Sequence, residues 1–268
     1  MTATITVPAL SLIFCCVSAI VSIGIPVLLV VLCVRQHRGA LWAVFIGAVC
    51  FVVGAMILEG LMHRLVLTVL APDLPRHPAA YILYGCLAAG VFEETARLIG
   101  LSMLSRRDAA PEIGFAYGAG HGGVEAVIIG GLSAVNNIAV IVMINAGQTD
   151  ALLRGLSGDT LALALAQLEQ LAQTPSPLFL AGGLERMVTV AFQIALSMLV
   201  WMAAVRRIPR WGFGIAILLH AGIDVLAMLY QLGIITNIWF TEAALAVLVP
   251  IVCVVIWRVY QRTGITAT

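Results

Sequence analysis

Long apolar runs separated by short polar breaks make up almost the whole chain. Seven runs reach the roughly 20 residues that a membrane-spanning helix requires: 7–34, 41–61, 80–104, 113–146, 182–205, 211–232 and 238–257. No sustained alternation of polar and apolar positions points to a membrane barrel. The second run continues past Glu59 and His63, which predicts one long, tilted helix. The fourth is too long for a straight span and carries Gly118, Gly120, Gly122, Gly123, Gly130 and Gly131, so a bend, tilt or break is expected there. The connection 147–181 holds a helix-like stretch at 160–172 before Pro175 and Pro177; an interfacial helix on the outer leaflet and a plain loop both fit it.

Composition narrows the class further. Apolar residues are 62% of the chain and charged residues 10%, against about half and about a quarter in soluble domains. A soluble fold is excluded, and the prediction is an all-α, polytopic integral membrane protein in one domain over residues 1–268. The first run lacks a basic leader and is too long for a signal segment, so it reads as a retained span. Arginine, the sole basic residue type besides histidine, clusters at Arg35 and Arg38, Arg106 and Arg107, Arg206, Arg207 and Arg210, and Arg258 and Arg262. These follow the first, third, fifth and seventh runs. By the positive-inside rule the N-terminus lies outside and the C-terminus in the cytoplasm. The expected location is a cell membrane, most simply a bacterial plasma membrane, with the lipid bilayer as partner. A net charge of +1 gives no basic face for nucleic acid. The six cysteines fall inside apolar runs with neither metal-knuckle nor disulfide spacing, as packing residues do.

Against this background the ionisable residues within the runs stand out, because each is costly in a bilayer and needs a partner or a task. The third run carries Glu93, Glu94 and Arg97, the fourth His121 and Glu125, and the sixth His220 and Asp224. Glu93 and Arg97, His121 and Glu125, and His220 and Asp224 are each spaced i,i+4, on one helix face. Counting about 1.5 Å per residue puts Glu93 about 16 Å, His121 about 12 Å and His220 about 14 Å from the cytoplasmic ends of their runs. Three spans thus bring acids and imidazoles into one layer. A carboxylate beside two imidazoles can deprotonate water, directly or with a metal that the imidazoles hold. Glu93 is the candidate general base, with His121 and His220 as zinc ligands or water-orienting groups. Asp224 or Glu125 is a further ligand or an outer acceptor. Arg97 would keep a neighbouring glutamate ionised, and the glycines around His121 would let water or an extended peptide approach the backbone. A second polar cluster, Glu59 with His63 and Glu185 with Arg186, reads as supporting structure, with a Glu59–Arg186 ion pair linking two helices.

The strings Phe92-Glu93-Glu94-Thr95-Ala96-Arg97, Gly120-His121-Gly122-Gly123-Val124-Glu125-Ala126, Leu184-Glu185-Arg186 and His220-Ala221-Gly222-Ile223-Asp224 resemble the YhfC family of intramembrane metallopeptidases. That family is related to the CAAX-processing and bacteriocin-processing membrane proteases. The resemblance covers about 58–224, and it places the catalytic core at about 58–232. It implies an intramembrane endopeptidase acting on a membrane-associated peptide or protein, with Glu93 as base, His121 beside it, and His220 with Asp224 completing the site; Glu94 joins Glu93, His121 and His220 as a catalytic candidate. Zinc is the implied metal, a metal-independent glutamate mechanism being the alternative within the superfamily. One departure stands out: Gln193 occupies a position on the fifth run where the family pattern often has a histidine. Two other functions use the same residue types. One is an ion- or proton-coupled transporter, which the absence of an internal repeat disfavours. The other is a non-catalytic scaffold that retains the peptidase fold.

Overall fold

The computed structural model describes residues 6–263, and every regular element among them is helical. α1 (Ala9–Gln36) and α2 (Ala40–Leu70) form a first pair. Pro78 and Pro111 open α3 (Pro78–Ser105) and α4 (Pro111–Asn145) at positions where a missing N–H costs nothing. A capping box between Ser157 and Thr160 starts the connecting helix α5 (Gly158–Gln173). α6 (Ser176–Ala204), α7 (Trp211–Gln231) and α8 (Ile238–Arg262) complete the chain. The 160–172 stretch is therefore helical: Leu168 of α5 is buried with Val7, Cys15, Ile141 and Ile144 from the ends of α1 and α4.

Polarity is inverted relative to a soluble protein. Ile20, Trp42, Val69, Leu70 and Leu218 are each more than 60% exposed, whereas Glu94, Arg97 and His121 are fully buried. An apolar exterior over a polar interior is stable only in lipid. Among the described residues, six helices are long and apolar enough to cross a membrane. The predicted third run corresponds to α3, which is 28 residues long but carries Glu93, Glu94 and Arg97 and so falls short of the others in apolar content. It packs against α2, α6 and α7. α6 is the central helix: 61% of its most apolar stretch is buried, against 17–22% in the other five.

α2 is the single long helix expected, with wider, π-type turns at Val52–Glu59 and Val66–Leu70. α4 is also continuous and takes up the strain of its length in one π-type segment, Ala126–Gly131, directly after Glu125. Its glycines serve a different purpose from the one predicted. A Cβ on Gly120 would lie 2.0 Å from the carbonyl oxygen of Val44, and one on Gly122 would lie 2.7 Å from Cβ of Gln193. Those faces are packed against α2 and α6. The small residues instead let three helices touch backbone to backbone. All six cysteines are free, with Cys15, Cys33 and Cys86 buried, in keeping with packing roles.

This packing predicts that Gly120→Val pushes α2 away from α4 and destabilises the fold by about 1–3 kcal/mol or more. Gly60→Ala, where a Cβ meets nothing within 4 Å, is expected to be neutral or mildly stabilising. Thermal unfolding of both variants in detergent checks the contrast; equal midpoints would show that α2 and α4 are not in close contact.

Candidate active site

The buried polar residues of α3, α4, α6 and α7 meet in one cluster. Successive residues on a helix point about 100° apart, so Glu93 and Glu94 reach different partners. Oε2 of Glu93 lies 3.0 Å from Nε2 of His121 on α4 and 3.8 Å from Nε2 of His220 on α7. Oε1 of Glu94 lies 2.7 Å from Nδ1 of the same His220. A carboxylate accepts, so Nδ1–H of His220 donates to Glu94. Nε2 of the same ring faces Glu93 and Oδ2 of Asp224, the latter 3.6 Å away. Phe51 and Phe192 stand edge-on to His121 and His220.

Arg97 is buried in the middle of this arrangement. It ion-pairs with Glu94 at 2.9 Å, and its Nη1 donates to the backbone oxygen of Gln193 at 2.9 Å and to Oγ of Ser197 at 2.5 Å. Its Nη2 donates to Oε1 of Gln193. That last bond fixes which way the Gln193 amide faces, because a guanidinium can only donate. Nε2 of Gln193 is left to donate to Oε2 of Glu93 at 3.3 Å and to Oε2 of Glu125 at 2.7 Å. Glu125 also accepts from Arg186 at 3.1 Å, and Arg186 donates to Glu185 at 2.5 Å.

Every predicted site residue on α3, α4 and α7 is therefore in one place; of the three i,i+4 pairs, His220 and Asp224 do lie 3.6 Å apart, while the other two turn to different partners. Arg97 pairs with Glu94, not Glu93. His121 pairs with Glu93, while Glu125 one turn further on faces α6. The expected Glu59–Arg186 pair is not formed, because Arg186 turns to Glu125 and Glu185. Glu59 instead contacts His63 at 3.0 Å, and His63 reaches the hydroxyl of Tyr84 at 2.8 Å. The supporting cluster thus divides: Glu185 and Arg186 join the site, and Glu59 and His63 bind α2 to α3. Gln193 and Ser197, central to the network, are polar residues one turn apart in the apolar stretch that follows Thr189, and Gln193 also departs from the family pattern.

A cleft of about 250 Å³ reaches the cluster. Glu93, Glu125, His220 and Asp224 line its inner part, Phe192 and Leu245 form apolar walls, and half-exposed Glu185 and exposed Gln231 stand at the end where α6 begins and α7 finishes. Among the described residues, no three His, Cys, Asp or Glu side chains are drawn together as a ready-made metal cage. The donor chemistry nonetheless fits a divalent ion. Two imidazole Nε2 atoms face one carboxylate oxygen, and Glu94 holds Nδ1 of His220 in the way carboxylates orient zinc-binding imidazoles. The site is also rich in acid: Glu93, Glu94, Glu125, Glu185 and Asp224 against Arg97 and Arg186.

With this geometry in view, comparison with known proteins is informative. Residues 20–245 match the family described as YhfC intramembrane metalloprotease. The chain is 39% identical over 240 residues to the "Uncharacterized membrane protein YhfC" of Bacillus subtilis (strain 168), an alignment that covers 89% of this chain and 92% of that relative. No solved structure matches it. This chain belongs to the YhfC intramembrane metalloprotease family.

Proposed function

We propose that the protein is an intramembrane endopeptidase in which Glu93 activates water for attack on a peptide bond. The observation that carries this reading is Oε2 of Glu93, buried at the inner end of a cleft and faced by Nε2 of both His121 and His220. Among the described residues, no other place combines a carboxylate, two imidazoles and a cleft.

Glu93 takes a proton from a water in the cleft, the hydroxide adds to the carbonyl carbon, and the C–N bond breaks as Glu93 returns that proton to the departing nitrogen. Glu94 acts at one remove, holding the His220 tautomer and orientation through Nδ1. Gln193 donates to Glu93 and keeps its carboxylate turned towards the imidazoles. Arg97 orients Gln193, and Arg186 holds Glu125. His121, His220 and Asp224 are the residues that would hold a divalent ion such as zinc; bound there, it would supply a Lewis acid and a more acidic water. The substrate is a membrane-associated peptide or protein, threaded past Glu185 and Gln231 along the apolar walls. We place the protein in a bacterial plasma membrane, N-terminus outside and C-terminus in the cytoplasm, with α3 as a seventh span.

Three outcomes are expected. Glu93→Gln should lower cleavage of membrane-anchored peptides, read by mass spectrometry, by at least about 100-fold while leaving the melting temperature nearly unchanged; retained cleavage would sink the assignment. Metal analysis of the purified protein should give about one divalent ion per chain, lost in a His121→Ala, His220→Ala double variant. Equal, negligible metal in both would leave Glu93 to act without one. Finally, if α3 spans, the termini lie on opposite sides. A fluorescent protein at the C-terminus should fold in the cytoplasm while an N-terminal tag reacts with impermeant reagents, and both termini on one side would remove α3 from the count.

A further inference from the structure

Away from the active site, a cavity of about 600 Å³ lies where α3 and α6 end and α7 begins. Leu98 and Phe213 give it an apolar wall, and Arg106, Arg206 and Arg210 line it from the two adjoining connections. Among the described residues, none of these three arginines has a carboxylate within ion-pair distance. Neighbouring Arg207 differs, lying 5.5 Å over the ring of Trp201.

Two further observations set this cavity apart from a loose end of the bundle. Arg206 has φ 61°, and among the described residues it alone occupies the left-handed region without being glycine. An arginine kept where glycine fits best is strain of the kind that marks functional positions. Oγ of Ser105, on the same wall, is buried without a hydrogen-bond partner. The cavity therefore offers three uncompensated guanidiniums and a free hydroxyl above an apolar surface.

We infer that this cavity binds a phosphate-bearing amphiphile, an anionic phospholipid whose headgroup sits among Arg106, Arg206 and Arg210 and whose chain follows the Leu98 and Phe213 wall. Guanidinium groups match phosphate oxygens in charge and in their forked geometry. Basic pockets between helix ends at a charged membrane surface hold such headgroups. Free phosphate would satisfy the arginines but leave the apolar wall uncovered, so the amphiphile is the better match.

Thermal unfolding of the full chain in neutral detergent tests this, with phosphatidylglycerol, phosphatidylcholine of the same chains, or inorganic phosphate added at equal concentration. Phosphatidylglycerol should raise the midpoint by several degrees more than either control. That gain should vanish in Arg206→Gly, which suits the backbone and so folds at least as well as the natural chain, and in an Arg106→Gln, Arg210→Gln pair. It should survive in Arg35→Gln, a basic residue outside the cavity. An equal gain from phosphatidylcholine, or a gain that persists in Arg206→Gly, overturns the site. A full gain from inorganic phosphate overturns the lipid and leaves a soluble anion as its ligand.

Discussion

Arg97 is the constraint around which the interior is arranged. A fully buried guanidinium inside an apolar bundle is tolerable only if its charge is met and its donors are used. Glu94 meets the charge; Ser197 and both the side chain and backbone of Gln193 accept from the donors. Each of those partners is thereby committed. Glu94 has one oxygen left, which holds His220, and Gln193 has only its amide nitrogen left, which holds Glu93 and Glu125. The orientation of the Glu93 carboxylate and of one imidazole thus descends from a residue that does not line the cleft. Removing Arg97 would leave Glu94 as an unpaired buried charge, and the disturbance would spread to α6 and α7.

The glycines of α4 are the complementary constraint. Helices in lipid gain little from the hydrophobic effect and must find close contact instead. Gly120 against Val44, and Gly122 against Gln193, bring α2 and α6 near enough for Arg97 and Glu93 to reach across. A polar network of this density requires short interhelical distances, which side chains on α4 would prevent. The π-type segment after Glu125 then ends the tightly packed stretch.

Much of this was legible in the chain. Run lengths and arginine positions marked the helices, and a depth count along three of them brought Glu93, His121 and His220 to one level. The pairings were not legible, for a physical reason. An i,i+4 spacing says that Glu93 and Arg97 share a face, but not which neighbouring helix that face meets or which carboxylate is better angled. Arg186 illustrates this: Glu59 was a reasonable partner by depth, while the packing of α4 on α6 puts Glu125 nearer. Gln193 could be noticed as a departure from the family pattern, yet its position between Glu93, Glu125 and Arg97 exists only once α3, α4 and α6 are assembled.

The same residue bears on the chemistry of the site. Five carboxylates, Glu185 included, share two guanidiniums there, and an excess of acid must be offset in a medium that screens poorly. Protonated imidazoles would offset it, and so would a divalent ion between neutral ones. Gln193 weighs on that choice, because its amide nitrogen donates to Glu93 and Glu125 without adding charge. It stabilises both carboxylates in their ionised form while leaving the surplus in place for whatever cation the imidazoles receive. A histidine at that position could itself carry a positive charge or act as a ligand; a glutamine does neither readily. In this chain the burden of charge balance therefore falls on His121 and His220, the two groups that face the oxygen of Glu93.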